Sequence, residues 1–195
     1  MNTSRRLWIL GGAFGGLLFA INLTIGAGLT YATGNPGFSG LVTGFTTSFV
    51  FYVLVRTTER FGAVTIAFTL YCLFAIPTVL MGPPGPYKVL VGLLCGLAFD
   101  SVLYIFRYRF SAYLGGFVIF VAVMLPAIYL AYLYLDFPGI DRFRSLMFIL
   151  AGIFVAEGWI AAWVARVLFN RRISELSVVK KVSLIPLRDE IEEDT

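Results

Sequence analysis

The sequence has no histidine and only two cysteines among its 195 residues. Without imidazole there are no His-based metal sites, no His-assisted hydrolysis and no histidine switch near neutral pH. Cys72 and Cys95 stand in apolar runs where a small thiol packs well, so a secreted disulfide framework is a poor reading. No Gly-Lys pair occurs, which removes the GxxxxGK[ST] phosphate loop and ATP hydrolysis by that route. A paired intramembrane aspartyl site would need a second mid-span aspartate, and the chain lacks one. Charge is scarce as well, at 13% of residues, against about 25% in an ordinary soluble domain. Together these absences argue against an enzyme and against a soluble globular protein, and no cofactor or metal is called for.

What is present is apolar: 59% of residues are hydrophobic, 16% are aromatic, and 20 are glycine. A mean hydropathy of +0.88 exceeds what one protein core absorbs, so lipid must receive part of it. Six stretches are apolar enough to cross a hydrocarbon layer of about 30 Å: Leu7–Tyr31, Gly40–Val55, Gly62–Met81, Val89–Phe106, Ser111–Leu135 and Ser145–Leu168. The second is the shortest and needs Phe38, Ser39, Arg56 and Thr57 at its two interfaces. Short Gly/Pro-rich or arginine-bearing connections separate the spans. The first run is too long for the apolar region of a cleavable signal peptide. The expected fold is therefore all-α: a polytopic bundle of six transmembrane helices over 1–170, followed by a cytoplasmic tail over 171–195.

The formal charge of +4 suggests no nucleic-acid partner, because the basic residues lie at the ends of apolar segments. With both termini inside, the inner side holds Arg5, Arg6, Arg56, Arg60, Arg107, Arg109, Arg166, Arg171 and Arg172, while the outer side holds Lys88, Arg142 and Arg144. That asymmetry orients the chain in the cell membrane with both ends cytoplasmic. The tail beyond Asn170, which carries Lys180 and Lys181 and ends in an acidic stretch after Arg188, reads as solvated, with Arg171 to Val182 alternatively a basic amphipathic stretch able to lie on an anionic leaflet.

Only Asp100 and Glu157, of eleven acids, stand in mid-span. An ionisable group costs about 2.5–3.5 kcal/mol at the bilayer centre on insertion scales, so it normally faces a cavity or a partner. Each lies twelve residues past the expected outer end of its span, at Lys88 and Ser145, which suggests one shared level about 18 Å deep and one internal cavity. The alternative is that each merely locks neighbouring helices. Gly92, Gly96, Asp100 and Tyr104 share one stripe of the fourth span, facing protein. Thr43, Thr46 and Thr47 share a face of the second, as ligand contacts or as hydroxyls bonded back to their own helix. Gly12, Gly16 and Ala20 form a small-residue ladder on the first span, against which another helix can press, whether internal or from a separate subunit. Phe38 and Tyr87, in the two outer Pro/Gly-rich loops, suit a lid over an outward pocket.

This order of features resembles the substrate-binding S component of energy-coupling factor (ECF) vitamin transporters, particularly the hydroxymethylpyrimidine/thiamine-type group. The resemblance is carried mainly by Phe61-Gly62-Ala63-Val64 through Met81-Gly82-Pro83-Pro84-Gly85-Pro86 to Gly92-Leu93-Leu94-Cys95-Gly96-Leu97-Ala98-Phe99-Asp100 and Arg107-Tyr108-Arg109. The small residues Gly152, Ala156, Gly158, Ala161 and Ala162 of the sixth span add to it. It implies a six-helix subunit that captures a vitamin-like molecule, thiamine or its pyrimidine precursor among the candidates, and works with a T transmembrane subunit and two ATPases. It implies contact with the T subunit through Gly12, Gly16 and Ala20, where the family typically carries alanines. It also implies a substrate site at Asp100, Glu157 and Trp159 beneath Phe38 and Tyr87, with the acids deeper than a family ligand usually rests. Two other readings stay open: a structural or assembly subunit of a membrane complex, and a small secondary transporter relaying protons or cations through Asp100 and Glu157.

Overall fold

The computed structural model describes residues 3–33, 36–78, 80–82, 84–136, 140–176, 179, 183 and 184. These residues form an all-α bundle with no strand among them. Helix α1 (Thr3–Ile21) continues through a widened π-helical segment (Asn22–Gly26) into α2 (Ala27–Thr33). Then follow α3 (Pro36–Thr58), α4 (Ala63–Phe74), α5 (Tyr87–Ile105), α6 (Phe110–Tyr134) and α7 (Ile140–Leu168), the last ending in a second π-helical turn, Phe169–Ile173. Four runs are long and apolar enough to cross a membrane: Ser4–Gly26, Tyr87–Ile105, Phe110–Tyr134 and Arg144–Ile173. The chain is thus a membrane-type helical bundle.

Two of the expected spans differ in length. The second, expected over Gly40–Val55, is the 23-residue α3, because Pro36 suits the first helical position and Thr57 and Thr58 bond back to Val53 and Leu54 carbonyls. The third, expected over Gly62–Met81, is only the 12-residue α4, about 18 Å long at the usual helical rise. Pro77 disfavours helix for the residue before it and cannot donate a backbone hydrogen bond, and the chain leaves the helix at Ala75. A compact turn follows, closed by the Gly85 amide on the Ile76 carbonyl at 3.1 Å.

The helices close into a ring in the order α1, α4, α5, α6, α7, α3, with α3 returning to α1. Antiparallel succession places the α3–α4 and α5–α6 connections, with Arg56, Arg60, Arg107 and Arg109, at one end of the bundle. Aromatic rings fill the middle. Phe51 of α3 meets Phe68 of α4, Phe99 of α5 and Phe120 of α6 edge-on at centroid distances of 5.6, 5.7 and 5.6 Å. Such edge-to-face contacts contribute beyond their buried area, by about 0.5–1.5 kcal/mol each. Around them Tyr52 packs on Tyr113, whose hydroxyl donates to the Ser48 carbonyl, and the Ser48 hydroxyl donates to the Gly158 carbonyl at 2.7 Å.

The tail was expected to be solvated, yet its described portion returns to the arginine end. The Leu184 amide and the Ser183 hydroxyl both donate to the Thr57 carbonyl, and Leu184 packs beside Leu10, Leu54 and Ala63. The acidic stretch after Arg188 lies outside the described residues.

Candidate functional site

Of the residues singled out from sequence, Asp100 is the most completely engaged. It is 1% exposed, and its Oδ2 accepts from the Thr65 amide at 2.9 Å and the Thr65 hydroxyl at 2.6 Å, while Oδ1 faces the Val64 amide at 3.4 Å. Val64 and Thr65 lie in the first turn of α4, where amides have no partner within the helix and the macrodipole is positive. The residue at the helix's own cap position is Gly62, with φ 92°, which has no side chain to offer. Asp100 therefore caps α4 from the neighbouring helix.

Lys88 caps the other end of α4. Expected as an outer loop charge, it is instead fully buried, and its Nζ donates to the carbonyls of Ala75 at 3.0 Å and Thr78 at 2.6 Å. The Ala75 carbonyl, which also accepts from the Thr78 amide at 3.0 Å and the Thr78 hydroxyl at 2.9 Å, stands at the C-terminal end of α4, where a cation suits the negative end of the dipole. The twelve residues from Lys88 to Asp100 match the twelve of α4, so one α5 holds both ends of its antiparallel neighbour with the correct signs. Glycines allow the approach: a side chain at Gly92 would strike Cys72 and the Phe68 carbonyl, and one at Gly96 would strike the Thr65 backbone. The sequence signal for this clamp was an acid and a lysine at a spacing equal to a short helix that ends at a proline.

Glu157 has different surroundings. It sits on α7 against α3, where its Oε2 occupies the space that a side chain at Gly44 would need. That oxygen is shielded from solvent and has no hydrogen-bond partner among the described residues. The two carboxylates expected to line one cavity are held against different helices, Asp100 on the first turn of α4 and Glu157 on α3.

The remaining residues scatter. Trp159 is 45% exposed on α7, with Nε1 donating to the Leu114 carbonyl of α6 at 3.2 Å, so it ties two helices together on the outer surface. Tyr87 is half-buried beside Gly82 and Tyr132, its hydroxyl donating to the Met81 carbonyl at 3.3 Å. Thr43 is half-buried on α3 and its carbonyl accepts from Thr46. The side chain of Phe38 lies outside the described residues. Asn22, which sequence reasoning passed over, is fully buried in the π-helical segment, where its Oδ1 accepts from the Thr46 hydroxyl at 2.6 Å. The hydroxyl of nearby Tyr71 faces the Asn22 side chain, and neither it nor Asn22 Nδ2 has another partner among the described residues.

On α1 the glycines divide into two faces. A side chain at Gly11 would meet Ile66, and one at Gly15 would run into the Ala67 carbonyl, so these two seat α1 against α4. Gly12 meets only the tip of Leu70 at 3.7 Å, Gly16 has nothing within 4 Å, and Ala20 is exposed. The Gly12–Gly16–Ala20 ladder is open on the outside of the bundle.

The fold and these sites define a membrane-type all-α bundle with a clamped α4–α5 hairpin and a shielded Glu157 oxygen that has no partner among the described residues. No protein-family model, curated protein or solved structure matches the chain.

Proposed function

We propose that this chain is the substrate-binding integral membrane subunit of an ECF-type importer, a multi-pass protein of the cell membrane with both termini cytoplasmic. It captures a small vitamin-like molecule and relies on a T subunit and two ATPases for energy. The observation that carries this reading is the open small-residue ladder on α1. Gly11 and Gly15 already satisfy the packing of α1 on α4, which leaves Gly12, Gly16 and Ala20 for the backbone of an external helix. The aromatic contacts around Phe51 occupy the bundle axis, which suits a binding subunit better than a self-contained channel. In this reading Asp100 leaves the substrate site, and Glu157, with its unpartnered oxygen, is the ionisable group that meets a cationic or pyrimidine ligand.

Mass spectrometry of small molecules that co-purify with the chain is the direct test. A stoichiometric polar aromatic compound, lost in Glu157→Gln, is expected. Concentrative uptake by the purified chain alone, without ATP, would favour a secondary transporter instead. The clamp on α4 favours a second reading, a structural or assembly subunit, because it makes both Asp100 and Lys88 helix-locking groups. Stable assembly with partner subunits in the absence of any bound small molecule would select it.

A further inference from the structure

At the arginine end, α5 and α6 diverge around a groove of about 460 Å³. Its walls include Ile105, Phe106 and Gly115, and its rim carries Arg107, Arg109 and Ser111. Both arginines are exposed, and no carboxylate pairs with either among the described residues. Gly115 has nothing within 4 Å of where a side chain would begin, so the floor is open. The turn that presents the arginines is built against local preference. The Tyr108 amide donates to the Leu103 carbonyl at 2.9 Å and the Arg107 amide to the Tyr104 carbonyl at 3.4 Å, a Schellman closure of α5. Glycine usually takes the left-handed position of that closure, yet Arg107 (φ 56°) and Tyr108 (φ 58°) hold it here. Burial first, and then the Asp100 and Glu59 carboxylates, pushes the Tyr108 phenol between the two arginines up to about 12.

The geometry points to a discrete binding site for one anionic phospholipid, its phosphate held between Arg107 and Arg109 and an acyl chain lying along Ile105, Phe106 and Gly115. Charge complementarity selects this occupant. Guanidinium groups match phosphate oxygens in bidentate geometry, and anionic lipids concentrate at the basic face of a membrane protein. The apolar floor beside the cations suits a lipid better than a free anion, which would leave that floor uncovered. The volume lies within the range of ordinary small-ligand sites, about 300–1,000 Å³.

The test is lipid retention by the detergent-solubilised full chain, read by native mass spectrometry with added phosphatidylglycerol or phosphatidylcholine. Phosphatidylglycerol should bind at least about fivefold more tightly. The variant Arg107→Gln/Arg109→Gln should lose about tenfold in phosphatidylglycerol affinity, equivalent to about 1.4 kcal/mol. Gly115→Leu, which adds bulk where space is open and so spares the fold, should reduce retention with both arginines still present. Arg5→Gln/Arg6→Gln, at the same end of the bundle but away from the groove, should leave retention unchanged. Equal retention of both lipids by the unmodified chain, or no loss in the Arg107/Arg109 variant, would overturn the site. An equal loss in the Arg5/Arg6 variant would also overturn it, by showing diffuse attraction. Displacement of phosphatidylglycerol by millimolar inorganic phosphate would overturn the lipid assignment in favour of a free anion.

Discussion

Helix α4 has twelve residues, seven of them buried, and α5 holds it at both ends while α1 presses two glycines onto its side. Helix α7 has twenty-nine residues and leaves Phe148, Ile149, Ile160 and Trp163 exposed, with Glu157 held against α3. A mid-span carboxylate marks each: Asp100 reaches α4 from α5, and Glu157 belongs to α7 itself. The Asp100 carboxylate accepts from three donors, while one oxygen of Glu157 accepts from none among the described residues. The contrast teaches that cost alone does not mark a functional acid. A buried carboxylate whose acceptors are filled by backbone amides is a structural part, and an unpartnered one is where a ligand gains most by binding.

Substitutions around the two helices can break that contrast. The largest effect should come from Gly15→Leu, which drives a side chain into the Ala67 backbone; loss of the folded bundle is expected by size-exclusion chromatography and thermal unfolding. Asp100→Ala should follow, since it strands the first-turn amides of α4; a loss of about 3 kcal/mol is expected in denaturant unfolding. Asp100→Asn should cost less, because the amide oxygen still accepts one bond. Should Asp100→Ala be neutral, the capping role would be refuted. Lys88→Met keeps most of the side chain's length but removes the ammonium donor to the Thr78 carbonyl and one of three donors to the Ala75 carbonyl, with about 1–2 kcal/mol expected in the same assay.

The smaller effects sharpen the comparison. Gly16→Leu adds a side chain to open space and should change stability by less than about 0.5 kcal/mol. In the proposed function it abolishes co-purification with a T subunit, and the pair Gly15→Leu and Gly16→Leu thereby separates internal from external packing. Glu157→Gln should be the mildest for the fold, near zero or slightly stabilising, since no hydrogen bond to the shielded oxygen is lost. A destabilisation as large as that of Asp100→Ala would make Glu157 a second lock and erase the difference between the two helices.

Several of these features were readable from the chain. The all-α fold, the six apolar segments and their connections followed from hydropathy and turn residues, because lipid-facing helices declare themselves by composition. The scarcity of mid-span acids isolated Asp100 and Glu157. The place of Lys88 was not legible: a lysine at the start of a span reads as lying in water, whereas Lys88 is buried on the carbonyls of Ala75 and Thr78. The Gly12–Gly16–Ala20 ladder was legible as a packing surface, but its direction was not. Gly11, Gly12, Gly15 and Gly16 are alike in sequence, and only the position of α4 separates them.

Sequence by itself determined the medium, the secondary structure and the short list of costly residues, since each depends on local composition and helical period. Tertiary structure alone decided which acid is satisfied, which glycine face is covered and where α5 and α6 part to leave the basic groove. The first two depend on groups thirty-five or more residues away in the chain, such as Thr65 beneath Asp100 and Ala67 beside Gly15, and no local pattern encodes which partner a side chain will meet.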